Sequence, residues 1–359
     1  MSSYPTRAWV EVDLGALRRN GAAVAARSGS RLLPMVKADA YGLGVGPVVN
    51  ALRDLNPWGF GIATVTEGEE LRALGYDGRV VFFTPVLEED LERADQANLT
   101  PALGSPQTIN AWVARTDAPW HLAIDTGMSR AGASWREVYE LAALTAQHPP
   151  EGVFTHFHSS ELDDGSMDAQ EERFEAALKR LSFKPKLTHT DNSAALARHE
   201  NTGRDIVRPG IFLYGVGSGP TASVQPEHVV SLRARVVEIR TIEPGDTVSY
   251  DAIFTARRKT TLATVAVGYA DGYPRALGNV AQVSIRGKLA PVAGVVTMDM
   301  TMIDVTDIAC ELGDVVTLIG RDGPNLLTVE QVAASGSLSP YEMVTGLRSR
   351  IERTYVETQ

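Results

Sequence analysis

The sequence predicts an α/β protein: an N-terminal (β/α)8 barrel of the TIM type followed by a C-terminal mainly-β domain. Three observations carry that expectation. From about residue 13 to residue 215, apolar runs alternate with amphipathic helical patterns, and the runs number eight. After Gly215 the stretch GSGPTASVQPE is crowded with turn formers and reads as a linker. Beyond it, strand-like segments follow one another with Gly and Pro punctuation and no helical pattern between them. The expected boundaries put residues 8–218 in the barrel and residues 1–7 and 219–359 in the β domain.

The first helix is LGALRRNGAAVAARSG, with Leu14, Leu17 and Val24 at helical spacing and Gly29 as its stop. The barrel strands are LLPMV, GFGIA, RVVFF, LTPAL, HLAI, GVFTH, KLTH and DIVRPGI, each bounded by turn signals. Between them, VTEGEELRALG, SPQTINAWVAR, SWREVYELAALTAQ and DAQEERFEAALKRL carry helical periodicity. Ser193, after Asn192, is expected to cap the helix that runs through ALARHE, a start that also suits phosphate. An open doubly wound sheet fits the same alternation. It usually shows a glycine-rich turn after the first strand, and none stands there. In the β domain, VVSLRARVVEIRTI, DTVSY, TTLATVAVGY, AQVSIRG, APVAGVV, MTMIDV and DVVTLIG read as strands, with EPGD and ELGD as turns.

Composition narrows the function. The 359 residues are 44% hydrophobic and 22% charged, with a net charge of −10. That acidic balance argues against nucleic acid and against an anionic membrane surface as partners. The single Cys310 excludes an internal disulfide framework and a cysteine zinc cluster, and reads as a small core residue. MSSYPTRAWVEVD lacks a basic-then-apolar leader pattern, and no run is long enough to span a bilayer. A cytoplasmic protein is expected.

In a barrel, working residues gather where strands end. Lys37 stands directly behind LLPMV, and a lysine leaving water there needs a partner or a purpose. Asp125 and Arg130 follow the fifth run, His156 closes the sixth, Asn192 and Ser193 follow the seventh, and Arg208 and Gly210 come with the eighth. Taken singly, Lys37 and Arg208 fit structural ion pairs and His156 a hydrogen-bonded core residue. Their common placement at one face is harder to explain that way.

LPMVKADAYGLG, IDTGMSRAG, THF, DNSAA, VRPGIFLYG, TVSYDA, VGYADGYPR and VTMDMTMID, in that order along residues 8–353, together resemble the alanine racemases, fold-type III pyridoxal-phosphate enzymes. The resemblance implies that Lys37 carries pyridoxal 5′-phosphate through its amine, which desolvation frees from its proton. It implies that Tyr41, Ser193, Gly210 and Ile211 hold the phosphate, with Asn192 beside them. By the same resemblance His156 lies beside the cofactor ring, Arg130 near its phenolic oxygen and Arg208 at its pyridine nitrogen. An arginine does not give up its proton, so the ring stays a weak electron sink, which suits return of a proton to the α-carbon.

Racemisation needs a base on each face. The resemblance implies Lys37 for one face and Tyr250, entering from the partner subunit, for the other. A tyrosine's reference pKa is about 10, so such a base needs stabilisation as phenolate, for which His156 and Arg208 are suited. Met298 and Asp299 match residues that seat the substrate carboxylate across the dimer, and Tyr269 the pocket entrance. The implied protein is a homodimer with shared sites that interconverts L- and D-alanine and supplies D-alanine for peptidoglycan, without a metal.

Three stretches depart from the family pattern. Ala123 replaces a carbamylated lysine that holds the arginine in many members. That leaves Asp125, chloride or water as the partner of Arg130. Arg348 and Ser349 occupy the neighbourhood of a gate tyrosine in the tail, and Leu43 stands where histidine is frequent. Substrate choice is therefore expected to reach serine as well as alanine. A decarboxylase on the same plan would call for an acidic group at the ring nitrogen and a cysteine in the site. A cofactor carrier would be a lone barrel.

Overall fold

The computed structural model describes residues 7–200, 203–219 and 222–358. Residues 1–6, expected with the β domain, lie outside the described residues. The barrel strands are Arg31–Leu32, Phe60–Ile62, Val80–Phe82, Thr100–Leu103, His121–Asp125, Gly152–Phe154, Leu187–His189 and Ile206–Val207. The second to the seventh lie side by side in chain order, all parallel. The eighth closes the ring on the first, with Ile206 opposite Arg31 and Val207 opposite Leu32. Met35 bridges to Gly61 to join the first strand to the second. The first strand is short because Pro34 lacks the N–H a ladder needs.

Alternation along each strand sorts the barrel into two faces. Leu32, Val80, Phe82, Leu122 and Val153 join the outer core under the helices. Leu33, Val81, Leu187 and Ile206 form one inner cluster, and Ala102, Ala123 and Phe154 another. His121 shares the face of Ala123, and His189 that of Leu187, and both are fully buried. Thus the barrel interior is partly polar.

Local signals fix the helices. Thr64 and Glu67 form a capping box on Val65–Ala73, and Ser105 with Pro106 starts Pro106–Arg115. At the seventh strand the expectation is corrected. Asn192 caps Ser193–Arg198, its side-chain oxygen accepting from the N–H groups of Ala194 and Ala195 at 3.1 Å. Ser193 is the first helical residue, and its hydroxyl is spent elsewhere.

The second unit is a nine-stranded sheet around the long strand Val230–Ile242, which pairs with Ala8–Asp13, Thr260–Val265 and Val315–Asp322. Ala8–Asp13 also lies parallel to Glu352–Val356, so the two ends of the described chain are neighbours. The expected barrel start at residue 8 therefore falls inside the β sheet. Trp9, Val10 and Val12 of AWVEVD are buried there, and Asp13 then caps the first helix, Leu14–Ser28, through Ala16 N–H at 3.0 Å. Two tail helices, Val329–Ser335 and Pro340–Thr345, have no counterpart in the sequence reading, and the second packs against the chain after Lys37.

Candidate active site

Lys37 opens a turn of left-handed helix. Ala38, Asp39, Ala40 and Tyr41 all have φ between 53° and 58°. Each such L-residue costs about 1–2 kcal/mol, so the surroundings must hold the turn in place. They do so at both ends. Ala38 N–H donates to Glu67 Oε1 at 2.8 Å, and Val45 N–H to Asp39 Oδ1 at 2.7 Å. The Tyr41 ring stacks on Tyr214 with centroids 4.6 Å apart, and Tyr214 in turn donates to Met35 O at 2.9 Å.

The turn faces a cavity of ≈ 1270 Å³ at the C-terminal ends of the strands. Of the residues the sequence singled out, Lys37, Tyr41, Arg130, His156, Asn192, Ser193, Arg208, Gly210 and Ile211 all line it. At one end Ser193 Oγ accepts from Gly210 N–H at 2.8 Å and Phe212 N–H at 3.3 Å. The Tyr41 hydroxyl closes on the same glycine. A hydroxyl pair over backbone N–H groups is a cradle for an anionic oxygen cluster.

At the other end Arg208 is 4% exposed. Its Nη1 meets His189 Nδ1 at 2.8 Å, and its Nη2 donates to Thr155 O at 2.8 Å and Thr190 O at 3.0 Å. Burial lowers Arg208 to about 10 against the opposing charge of Asp191, so it remains a cation at neutral pH. His156 Nδ1 lies 3.4 Å from Arg208 Nη2. Burial first, and then Arg208, Arg130 and Lys37, push His156 down to about 3, leaving a neutral imidazole. The Lys37 amine is lowered by burial and by Arg130, against the carboxylate of Glu67. These residues fit pyridoxal phosphate: a desolvated amine, an anion cradle on one side of it and a buried donor on the other.

Asp125 does not hold Arg130. Its Oδ1 is spent on its own loop, accepting from Gly127 N–H at 2.9 Å and Ser129 N–H at 3.0 Å. The methyl of Ala123 lies with Ala102, Phe154 and Phe83 in an apolar patch on the cavity wall.

Tyr250, Tyr269, Met298 and Asp299 stay apart from this cavity. Tyr250 is 67% exposed and Met298 52%. The loops of Tyr269 and of Met298 and Asp299 are nonetheless tied together. Tyr269 N–H donates to Thr297 O, and the buried Asp271 carboxylate receives Arg7 and Arg350, whose Nη2 also donates to Asp299 at 2.5 Å. The sequence reading missed Glu67, His189 and Tyr341. Tyr341 lines the cavity with its ring 6.4 Å from that of Tyr41, whereas Arg348 and Ser349 do not line it. Cys310, expected in the core, is half-buried in the β domain.

Fold and site together define a barrel protein whose cavity suits an aldehyde cofactor beside a desolvated lysine. Residues 12–218 match the alanine racemase N-terminal domain, and residues 229–355 the alanine racemase C-terminal domain. The alanine racemase of Halothermothrix orenii is 35% identical over 97% of this chain and 96% of its own length. The alanine racemase of Bartonella henselae, solved with covalently bound pyridoxal phosphate, superposes with a TM-score of 0.91. It is 29% identical, over 98% of this chain and all of that one. That of Bacillus anthracis, solved with bound L-Ala-P, gives a TM-score of 0.90 at 29% identity, covering 99% of this chain and 96% of its own. The chain belongs to the alanine racemase family, pyridoxal-phosphate-dependent isomerases.

Proposed function

We propose that the chain interconverts L- and D-alanine with Lys37 and Tyr250 as bases on opposite faces of the α-carbon, Tyr250 coming from the partner of a homodimer. The observation that carries it is a desolvated Lys37 in a cavity that has a buried arginine, and not a carboxylate, at the end opposite the anion cradle. When bound, pyridoxal phosphate supplies the electron-withdrawing system that makes the α-proton acidic. Lys37, freed when substrate arrives, takes or returns the proton on its own face. Because Arg208 keeps its proton, it favours return to the α-carbon. His156 presents Nδ1 to Arg208, so its Nε2–H is the donor left for a phenolate at Tyr250. The positive field of Arg208, Arg130 and Lys37 favours that phenolate as it disfavours an imidazolium.

Tyr41, Ser193, Gly210 and Ile211 seat the phosphate, with Asn192 positioning Ser193. Arg130, Met298, Asp299 and Tyr269 form the substrate side across the subunit boundary. High exposure of Tyr250 and Met298 in the single chain supports the shared arrangement. We place the enzyme in the cytoplasm, supplying D-alanine to peptidoglycan. Among the described residues no helix is long and apolar enough to cross a membrane.

The test mixes inactive Lys37→Ala and Tyr250→Phe proteins. Random exchange makes half the dimers hybrids with one intact site of two, so about a quarter of wild-type activity should return. No recovery after confirmed exchange would overturn the shared site. Carbon dioxide release from alanine in place of racemisation would favour the decarboxylase.

A further inference from the structure

We propose that Glu151 and His121, at the end of the barrel remote from the cavity, are positioning residues that fix, through His189, the direction of the hydrogen bond Arg208 donates. A guanidinium has N–H groups and no acceptor. The 2.8 Å contact between Arg208 Nη1 and His189 Nδ1 therefore requires a bare Nδ1. A neutral imidazole carries one proton, so that of His189 sits on Nε2. This nitrogen lies 2.8 Å from His121 Nδ1, which must accept. The His121 proton is then on Nε2, facing Glu151 Oε2 at 3.8 Å, with no closer hydrogen-bond partner among the described residues. The four residues come from the fifth, sixth, seventh and eighth strands or their ends, and form one chain with a single direction.

Independent features show that this chain is built. Both imidazoles are fully buried, and burial keeps each below its ordinary value, with Arg208 adding to the effect. A Cβ on Gly152 would stand 2.9 Å from His121 Cε1 and Nδ1, so the ring occupies space that only glycine leaves. Arg79 holds Glu151 from the other side at 2.5 Å and itself lies 4.8 Å over the Trp58 ring. Burial raises the Glu151 carboxyl, but His121 and Arg79 outweigh it and hold it below its ordinary value.

The consequence for catalysis rests on the reading of Arg208 as the donor at the cofactor's ring nitrogen. If the acceptor at Glu151 is lost, His121 is free to carry its proton on Nδ1. It then meets the Nε2–H of His189, donor against donor. His189 must shift its own proton to Nδ1, toward a guanidinium that cannot accept it. A change at one end of the barrel thus breaks the contact that orients Arg208 at the other.

The experiment is ¹⁵N spectroscopy of histidine-labelled holoenzyme, whose seven histidines are assigned through His121→Asn and His189→Asn. In the wild type, both His121 and His189 should be neutral, bare at Nδ1 and protonated at Nε2. Glu151→Leu should move His121 toward the Nδ1-protonated form and lower kcat about tenfold with KM for alanine little changed, the scale of one lost buried hydrogen bond. Glu151→Gln, whose amide oxygen still accepts, should restore both. A protonated Nδ1 on wild-type His189 would overturn the proposal whether or not the variant folds. So would Glu151→Leu with an unmoved His121 tautomer, or with moved tautomers and full kcat. The expected tautomers in a protein that fails to racemise alanine would instead support the relay and count against the proposed function.

Discussion

The Tyr41 hydroxyl lies 2.4 Å from the point where a β-carbon on Gly210 would stand. That closeness joins the left-handed turn after Lys37 to the loop that follows the last barrel strand. The anion cradle exists only while residue 210 has no side chain. Gly210→Ala must displace either the stacked Tyr41 ring or the loop carrying Ile211.

Gly210→Ala is therefore expected to fold and to bind pyridoxal phosphate weakly. Overpacking of about 1–2 kcal/mol corresponds to roughly five- to thirtyfold in affinity. Titrating cofactor into unloaded protein and following its visible absorbance reads the change. An unaltered affinity would mean that the glycine does not shape the cradle.

Much of this site was legible in the sequence, because a barrel collects strand ends at one face. Lys37, His156 and Arg208 are far apart in the chain, and eight alternating runs were enough to bring them together. The left-handed turn at Ala38–Tyr41 was not legible, since Ala-Asp-Ala-Tyr carries no preference for positive φ. His121 and His189 were passed over inside the runs HLAI and KLTH. A histidine within an apolar strand needs a partner, and that was the available signal. The strand Ala8–Asp13 is not legible in the sequence, because its pairing with Val230–Ile242 and Glu352–Val356 spans the whole chain and local patterning cannot register it.

Acid should weaken the fold through the buried histidines. His156 stands at about 3 in the folded chain, and burial also holds His121 and His189 low, His189 well below 6.5. Below pH 6.5 the unfolded chain binds protons that the folded one refuses. The stability these neutral rings contribute is full above pH 6.5 and lost as pH falls toward 3. Each contributes a slope of at most about 1.4 kcal/mol per pH unit in that window. Urea melts between pH 4 and 8 should show it, and His156→Gln should flatten the slope. An identical slope in that variant would place the acid sensitivity elsewhere.

Tyr341 should restrict substrate size. It lies by Tyr41 at the cavity wall, and it feels the charge of Glu161. The tail positions Arg348 and Ser349 are absent from the lining. With Arg348 and Ser349 in the neighbourhood of the family's tail tyrosine, the wild type is expected to turn over serine measurably beside alanine. Tyr341→Ala should raise kcat/KM for serine relative to alanine by up to the 1–3 kcal/mol, about ten- to two-hundredfold, that such pocket contacts carry. Tyr341→Phe should leave the ratio nearly unchanged. If the alanine variant keeps the wild-type ratio, Tyr341 is not the gate.

Arg130 should take its partner from solution. Asp125 is bound to its own loop, and Ala123 contributes only a methyl group to a patch with Ala102 and Phe154. A methyl cannot be carbamylated, so activity should not respond to dissolved carbon dioxide. Arg130 lines the same cavity as that patch, and in the proposed homodimer the partner would cover it; a cation so enclosed requires an anion or several acceptors. A halide or a water cluster in the space a longer side chain would fill meets the requirement. Crystals of the holoenzyme grown in bromide should show anomalous density next to Arg130. Ala123→Lys should displace it and restore dependence on carbon dioxide. Bromide-free density with an apolar group packed on the guanidinium would refute the anion, and carbon dioxide dependence in the wild type would refute both halves of the expectation.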